Sequence, residues 1–162
     1  MTRINVGIPV AILTDEHLLA EHREIKRVCA VYAKRLTMPN GLKGLPTKMT
    51  LGQGHVLFFV NKGAFTFFRY LALYDECIAR GFNVTNYKDA WQVYGDNMQE
   101  YNKEQTDVIL LCNRIIERLH GSTKSTWHFH GKPITAEQAA EKLTTFKQAI
   151  IDDINNYNTG VY

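Results

Sequence analysis

Apolar side chains recur at helical spacing in four stretches of the chain, and each stretch predicts a helix. The first covers residues 14–36, where one apolar stripe is formed by Leu18, Ile25, Cys29, Tyr32 and Leu36. Residues 62–80 and 103–120 give two more helices. Gly81 and Gly121 follow the last turns of these helices, as expected of glycines that end a helix.

A fourth helix is predicted after Thr135, because Thr135 and Gln138 have the spacing of a capping box. One face of this helix is apolar and contains Leu143, Phe146, Ile150 and Ile154. Residues 37–54 and 122–133 are rich in loop-forming or basic side chains, and no run of alternating strands is evident. The short run Val56–Val60 and residues 87–100 do not indicate one type of structure.

The pattern therefore predicts an all-α fold: a compact single domain of three main helices plus an added C-terminal helix. We expect residues 1–134 to form the main body of the domain. Residues 135–162 are predicted to be a helical extension packed on it. The length of 162 residues is sufficient for one domain with a real core.

Composition narrows the class of protein without deciding its function. Apolar residues make up 45% and charged residues 22%, which is ordinary for a globular protein, and no apolar stretch is long enough to cross a membrane. The three cysteines, Cys29, Cys77 and Cys112, form no CxxC pair and fall within apolar helical patterns. We therefore expect reduced, buried thiols and a cytoplasmic protein.

The net charge of +3 is unevenly distributed. Residues 1–70 contain ten Lys/Arg and four Asp/Glu, which gives +6, whereas residues 71–162 contain nine and twelve, which gives −3. A basic first half favours a face that binds an anion such as nucleic acid. Charge alone is equally compatible with an ordinary solvated surface.

Candidate chemistry is concentrated near the start of the chain. If Met1 is removed, Thr2 presents an α-amine, whose ordinary pKa of about 7.7–8.0 leaves roughly a tenth of it unprotonated at neutral pH. On a continuous helix, Glu24 shares the solvent face with Arg23 and Arg27, and Ala20 leaves a shallow gap there. By itself, such a glutamate would be an ordinary surface ion pair.

Several segments form a distinctive combination: Met-Thr-Arg-Ile-Asn at residues 1–5, the helix with His17, Arg23, Glu24 and Arg27, Leu-Gly-Gln-Gly-His at 51–55, the segment 76–83, and the elements around Trp127 and Lys132. In this order, they resemble the phage endonuclease V family, whose members are pyrimidine-dimer DNA glycosylases with AP-lyase activity. The resemblance spans about residues 1–134. Glu16 departs from the family, which commonly has an amide at this position.

The resemblance implies a bifunctional enzyme of DNA repair that needs no cofactor. The α-amine of Thr2 would attack C1′ of the damaged nucleotide to form an imine, and Glu24 would assist bond breakage and β-elimination. Arg3, Arg23 and Arg27 match arginines that hold phosphates. Further DNA contacts would come from Arg114, Arg118, Trp127 and Lys132. The expected partner is lesion-bearing double-stranded DNA, bound by a monomer with no membrane association.

Several alternatives stay open at this point. Arg114 and Arg118 have the spacing of ordinary surface charges, and Trp127 with Phe129 is equally suited to covering the core. His17, Ala20 and His55 are candidates for the border of the site, although each histidine is equally compatible with a structural role. His128 and His130 lack further ligands, so we expect no metal. The chain could also act on another damaged base or abasic site, or bind DNA without catalysis.

Overall fold

The fold is broadly all-α. The computed structural model describes residues 4–160, and helical segments account for 59% of them. The α-helices are α1 Asp15–Glu24, α2 Arg27–Leu36, α3 Gly54–Phe59, α4 Gly63–Ala79, α5 Gln105–His120 and α6 Ala136–Thr159, joined by 3-10 segments at Val10–Ile12 and Lys88–Tyr94. The predicted count of three main helices plus one was wrong, because residues 4–160 contain six α-helices and a small sheet.

The first predicted helix is interrupted at Ile25 and Lys26, which form a turn between α1 and α2. Most of its apolar stripe is buried as predicted, since Leu18, Ile25, Cys29 and Tyr32 are each at most 3% exposed. Leu36 is 55% exposed, so its predicted burial was wrong. It is the last residue of α2, where the helix leaves the core and an exposed loop begins.

The described residues form two compact units. Unit one contains Ile4 and residues 17–102. In it, α2 contacts α3, α4 and the 3-10 helix Lys88–Tyr94. Stacked rings support this packing: the ring centroids of Tyr32 and Tyr94 are 4.1 Å apart. Tyr94 also lies against Gly63, where an added Cβ would approach the ring to 2.8 Å, so only glycine fits there.

Unit two contains residues 5–16 and 103–160. Its main contact is between α5 and α6, where the apolar face of α6 includes the buried Leu143. Trp127–Phe129 (β1) and Lys132–Ile134 (β2) pair as an antiparallel hairpin. The prediction of a loop at residues 122–133 was therefore wrong for the hairpin. The extension predicted from residue 135 lies in unit two, as part of the same packing as α5.

Local sequence signals placed several helix ends correctly. Thr135 and Gln138 form the predicted capping box at the start of α6. At the end of α4, Gly81 has a φ of +82°, and the amides of Gly81 and Phe82 donate to the carbonyls of Ile78 and Cys77. This hydrogen-bond pattern is a Schellman motif. The run Val56–Val60, for which the sequence indicated no type, lies mostly in α3.

No helix among residues 4–160 combines the length and apolar character that crossing a membrane requires.

Candidate active site

The interruption of the first helix brings charged side chains together in unit one. The amide of Ile25 still donates to the carbonyl of Glu21 at 2.9 Å, and the amide of Cys29 donates to the carbonyl of Lys26 at 3.0 Å to start α2. Between these bonds, the chain turns at Ile25 and Lys26. The charged side chains on both sides of the turn line one cleft.

This cleft has a volume of about 700 Å³. Its lining residues are Arg23, Glu24, Lys26, Arg27, Cys29, Ala30, Ala33, Ala90 and Val93. Ala30 and Ala33 come from α2, and the last two residues come from the 3-10 helix Lys88–Tyr94. Because the walls are small and apolar, the cleft has room for a flat group beside its charged side chains.

Glu24 is the single carboxylate among the described residues that line this cleft, and it shares the lining with three cations. Arg23 and Arg27 are exposed, whereas Glu24 and Lys26 are half-buried. The Glu24 carboxylate makes no hydrogen bond or ion pair with any residue from 4 to 160. A carboxylate in this setting can accept a proton or stabilise positive charge, and the surrounding cations favour a polyanionic ligand.

An aromatic wall positions Lys26, a cleft residue that the sequence analysis did not identify. Its Nζ lies 3.3 Å from the centroid of the Tyr87 ring, a cation–π distance. The backbone amide of Tyr87 donates to the Tyr70 hydroxyl at 2.6 Å. This hydrogen bond fixes the backbone that carries the Tyr87 ring. The signal that could have identified Lys26 was its place between Glu24 and Arg27 in the sequence.

His22 is buried behind this wall, with its ring centroid 5.3 Å from that of Tyr87 and 5.7 Å from that of Tyr70. Burial lowers the pKa of His22, and the nearby charges of Lys26 and Arg23 lower it further. Neither ring nitrogen has a hydrogen-bond partner among residues 4–160. The neutral ring is therefore the form that the fold favours.

A buried ion pair fixes α1 to α4. Arg69 Nε donates to Glu21 Oε1 at 2.8 Å, and Arg69 Nη2 donates to Oε2 at 2.9 Å. The side chains of Arg69 and Glu21 are only 9% and 1% exposed. This two-bond geometry holds the helix that carries Arg23 and Glu24 in one orientation.

His55 connects the start of the described chain to the body of unit one. The backbone amide of Ile4 donates to His55 Nε2 at 3.0 Å, and His55 Nδ1 lies 3.0 Å from the Thr50 carbonyl oxygen. Because an amide is a donor, Nε2 must be the acceptor, so Nδ1 carries the hydrogen and donates to Thr50. Thr2 and Arg3 lie outside the described residues, but Ile4 is only two positions after Thr2.

Comparison with known families decides the identity of this region. The family model described as pyrimidine dimer DNA glycosylase matches residues 1–90. The chain belongs to this family. The match covers α1 to α4 together with His55, Glu24 and the three cations of the cleft. A pyrimidine dimer DNA glycosylase acts in DNA repair, with lesion-bearing DNA as its substrate.

The remaining predicted site residues of this glycosylase are distributed over both units. His17 and Ala20 are half-buried on α1. Neither is one of the described residues that line the cleft. In unit two, Arg114 is half-buried and Arg118 exposed on α5, and Lys132 is exposed on β2. These last three residues, with Trp127, lie beyond the family match, so their roles stay predictions.

Trp127 is 8% exposed, and the Nζ of Lys124 lies 4.9 Å from its ring centroid. A ring that stacks on a base must have an open face. Burial therefore favours the alternative in which Trp127 covers the core of unit two. Phe129 is half-buried, with Lys142 Nζ 4.4 Å from its ring centroid.

Two carboxylates of α1 bind the hairpin, a contact that the sequence pattern does not predict. Asp15 accepts hydrogen bonds from the amides of His130 and Gly131 at 3.1 and 2.8 Å. Glu16 accepts from Lys124 Nζ at 2.6 Å and from the amide of His128 at 3.1 Å, and its Oε1 lies 2.9 Å from His128 Nδ1. We call Asp15 and Glu16 the carboxylate clamp.

The carboxylate clamp also fixes the charge state of Glu16. Partial burial acts to raise the pKa of Glu16, but the hydrogen bonds from Lys124 and His128 outweigh it and lower the pKa to about 2. Glu16 is therefore ionised and paired at neutral pH. Among residues 4–160, no group of three or more His, Cys, Asp or Glu side chains has an arrangement that could hold a metal ion.

Proposed function

We propose that this glycosylase removes ultraviolet-induced cyclobutane pyrimidine dimers by imine chemistry and then cuts the strand. The observation that carries the proposal is the cleft of unit one, where Glu24 lies among three cations in the segment that matches the family. The anchor between Ile4 and His55 supports it further, because it fixes the chain two residues from Thr2.

In the first step, the nitrogen of the Thr2 α-amine bonds to C1′ while the glycosidic bond breaks, and the base leaves with a proton. The sugar ring then opens to an imine, with a proton moving to O4′. Glu24 removes a proton from C2′, and the electron pair forms the double bond as the 3′ phosphate leaves. Water then hydrolyses the imine and restores the free amine, so the sequence requires no cofactor.

The cations have a separate role in binding. Arg3, Arg23 and Arg27 would hold phosphates on both sides of the lesion, and Arg114, Arg118 and Lys132 would add contacts from unit two. Because each contact releases counterions, DNA affinity should fall steeply as salt increases. We propose that the protein acts as a monomer on double-stranded DNA.

We further propose that the cleft receives the nucleotide that members of the family flip out opposite the lesion. The face of α1 that carries Ala20 and Glu24 would enter the opened step of the duplex. The small side chains of Ala30 and Ala33 leave room for a flat base. Ala33→Phe should fill this space and weaken binding to dimer-bearing duplex more than binding to duplex that already lacks the opposite base.

Borohydride trapping is the decisive test of the imine. The mature protein is mixed with dimer-bearing, abasic or modified-base duplex, and the mass of the adduct is mapped to a residue. We expect a covalent adduct at residue 2, and acetylation of the terminus should abolish it. Trapping only with another modified base would overturn the choice of lesion. A protein that binds but is never trapped would be a DNA-binding module without this chemistry.

A further inference from the structure

The turn of the hairpin has an unusual backbone for its sequence. Phe129 pairs with Lys132, so His130 and Gly131 form a two-residue loop. Their φ angles are +51° and +73°, and two positive values are the signature of a type I′ turn. Glycine adopts such angles readily, but a histidine with a positive φ is uncommon and strained.

The carboxylate clamp supplies what the turn itself lacks. The two oxygens of Asp15 accept hydrogen bonds from the two successive amides of the turn, His130 and Gly131. Asp15 is only 4% exposed, so water has little access to these two hydrogen bonds. Hydrogen bonds to a charged group are stronger than those between neutral groups. Glu16 holds the preceding part of the hairpin through the amide and ring of His128.

The fixed turn has exposed, basic side chains on its outer side. His130 in the loop and Lys132 at the start of β2 are exposed, whereas His128 pairs with Pro133, lies on the other face of the hairpin from Lys132 and has its ring bound to Glu16. A phosphate oxygen is the ligand that the Lys132 ammonium, with the neighbouring His130 ring, is suited to bind. The direction in which these side chains point depends on the backbone of the turn.

We propose that Asp15 and Glu16 are positioning residues, which hold the hairpin in the conformation that binds the phosphate backbone of duplex DNA. This inference rests on the proposed DNA contact of Lys132 and extends it to residues that touch no DNA. Asp15 acts through the backbone of His130 and Gly131, and Glu16 acts through His128.

The test is a double-mutant cycle between Asp15 and His130. Asp15→Asn removes the charge and one acceptor, whereas His130→Asn creates an Asn-Gly sequence, the pair that favours a type I′ turn by itself. We expect Asp15→Asn to weaken binding to a short duplex with a tetrahydrofuran abasic-site analogue by about tenfold, the scale of one hydrogen bond to a charged group. In the double variant, affinity should return to that of His130→Asn alone.

Amide hydrogen exchange at His130 and Gly131 measures the turn without DNA. Asp15→Asn should accelerate exchange at both amides, and the double variant should restore protection. Glu137→Gln is the matched control, because Glu137 is also an acid in the first turn of a helix. It should change neither exchange at the turn nor binding. For Glu137→Gln, the single-turnover cutting rate at saturating DNA should also stay within about twofold, since neither the turn nor Glu24 is altered.

A second variant, Gly131→Ala, changes the turn directly and leaves α1 unaltered. An added Cβ at Gly131 meets no atom within 4 Å, so Gly131→Ala disturbs only the positive φ of the backbone. It should weaken binding in the same way as Asp15→Asn, and it serves the test if Asp15→Asn fails to fold. Unchanged affinity in Gly131→Ala, or additive losses in the double variant, would overturn the proposal.

The outcomes separate this inference from the proposed function. If coupling between Asp15 and His130 is found but no adduct is trapped at residue 2, the positioning role stands and the imine chemistry fails. If trapping succeeds and the coupling is absent, the chemistry stands and the positioning role fails.

Discussion

Helix α1 carries acidic side chains in two contrasting situations. Near its start, Glu16 is paired with Lys124 and His128, and these bonds lower its pKa to about 2. At its end, Glu24 lines a cleft with three cations and forms no bond to any other described residue. Between them, Glu21 is committed to Arg69. The pairs of Glu16 and Glu21 stabilise the fold. We propose that Glu24 has the catalytic role.

The comparison is tested most strongly by Glu24→Gln. We expect cutting of dimer-bearing and abasic duplex to fall by about 100- to 10,000-fold, the usual contribution of a residue that transfers protons. DNA binding and the free energy of unfolding should change little, because the Glu24 carboxylate has no hydrogen bond or ion pair with residues 4–160. Single-turnover assays and a binding titration measure both, with exposed Glu100→Gln as the matched control. Equal cutting by Glu24→Gln would contradict the assignment.

Breaking the buried ion pair between Arg69 and Glu21 should instead lower the stability of the fold. Arg69→Met removes both hydrogen bonds that Glu21 accepts from Arg69, and removing one member of a buried ion pair destabilises a fold by about 3–5 kcal/mol. Urea unfolding would measure the loss. The double variant Arg69→Met with Glu21→Met should recover most of it, because it also removes the buried Glu21 charge. If the double variant is as unstable as Arg69→Met, the two side chains stabilise the fold through their packing and not through their charges.

The anchor at His55 offers an intermediate case. His55→Phe removes the acceptor for the Ile4 amide and should slow borohydride trapping by about 100-fold, because small displacements of a reacting group are costly. DNA affinity should fall by much less than the trapping rate, because Arg3 is the only proposed phosphate contact next to this anchor. His55→Gln keeps an acceptor of similar reach and is the matched control. Equal losses in the Phe and Gln variants would indicate that the ring matters for packing and not for the hydrogen bond.

The smallest expected effect comes from Glu16→Gln, and it depends on pH. The folded pKa of Glu16, about 2, lies below its ordinary value of 4.5, so the stabilisation is present above about pH 4.5 and lost as pH falls towards 2. Because the pair is partly exposed, we expect the variant to lose less than about 1 kcal/mol at neutral pH. Thermal unfolding near pH 2 and near neutrality should show a difference only at neutrality.

Sequence patterns predicted those features that depend on neighbouring residues. The capping box at Thr135 and the Schellman motif at Gly81 each involve residues a few positions apart, so their signals are local. The turn at Ile25 and Lys26 was missed because the apolar stripe continues across it, with no proline or glycine to indicate an end. The hairpin was missed because its turn needs His130 at positive φ.

Part of the candidate site could be predicted for the same reason. Arg23, Glu24 and Arg27 are close in sequence and do line one cleft. The hydrogen bond between Asp15 and His130 joins residues 115 positions apart. The spacing of apolar residues along the chain cannot predict such a distant pairing. Lys26 was overlooked because its position depends on the ring of Tyr87, which belongs to a distant segment.

The hydrogen bonds of His55 restrict what this imidazole can do. One ring nitrogen gives its proton to Thr50, and the other uses its lone pair for Ile4. A ring committed at both nitrogens can neither shuttle protons nor ligate a metal while the anchor is intact. The Ile4 amide requires the lone pair at Nε2, because a proton at that nitrogen would place two donors together and break this hydrogen bond.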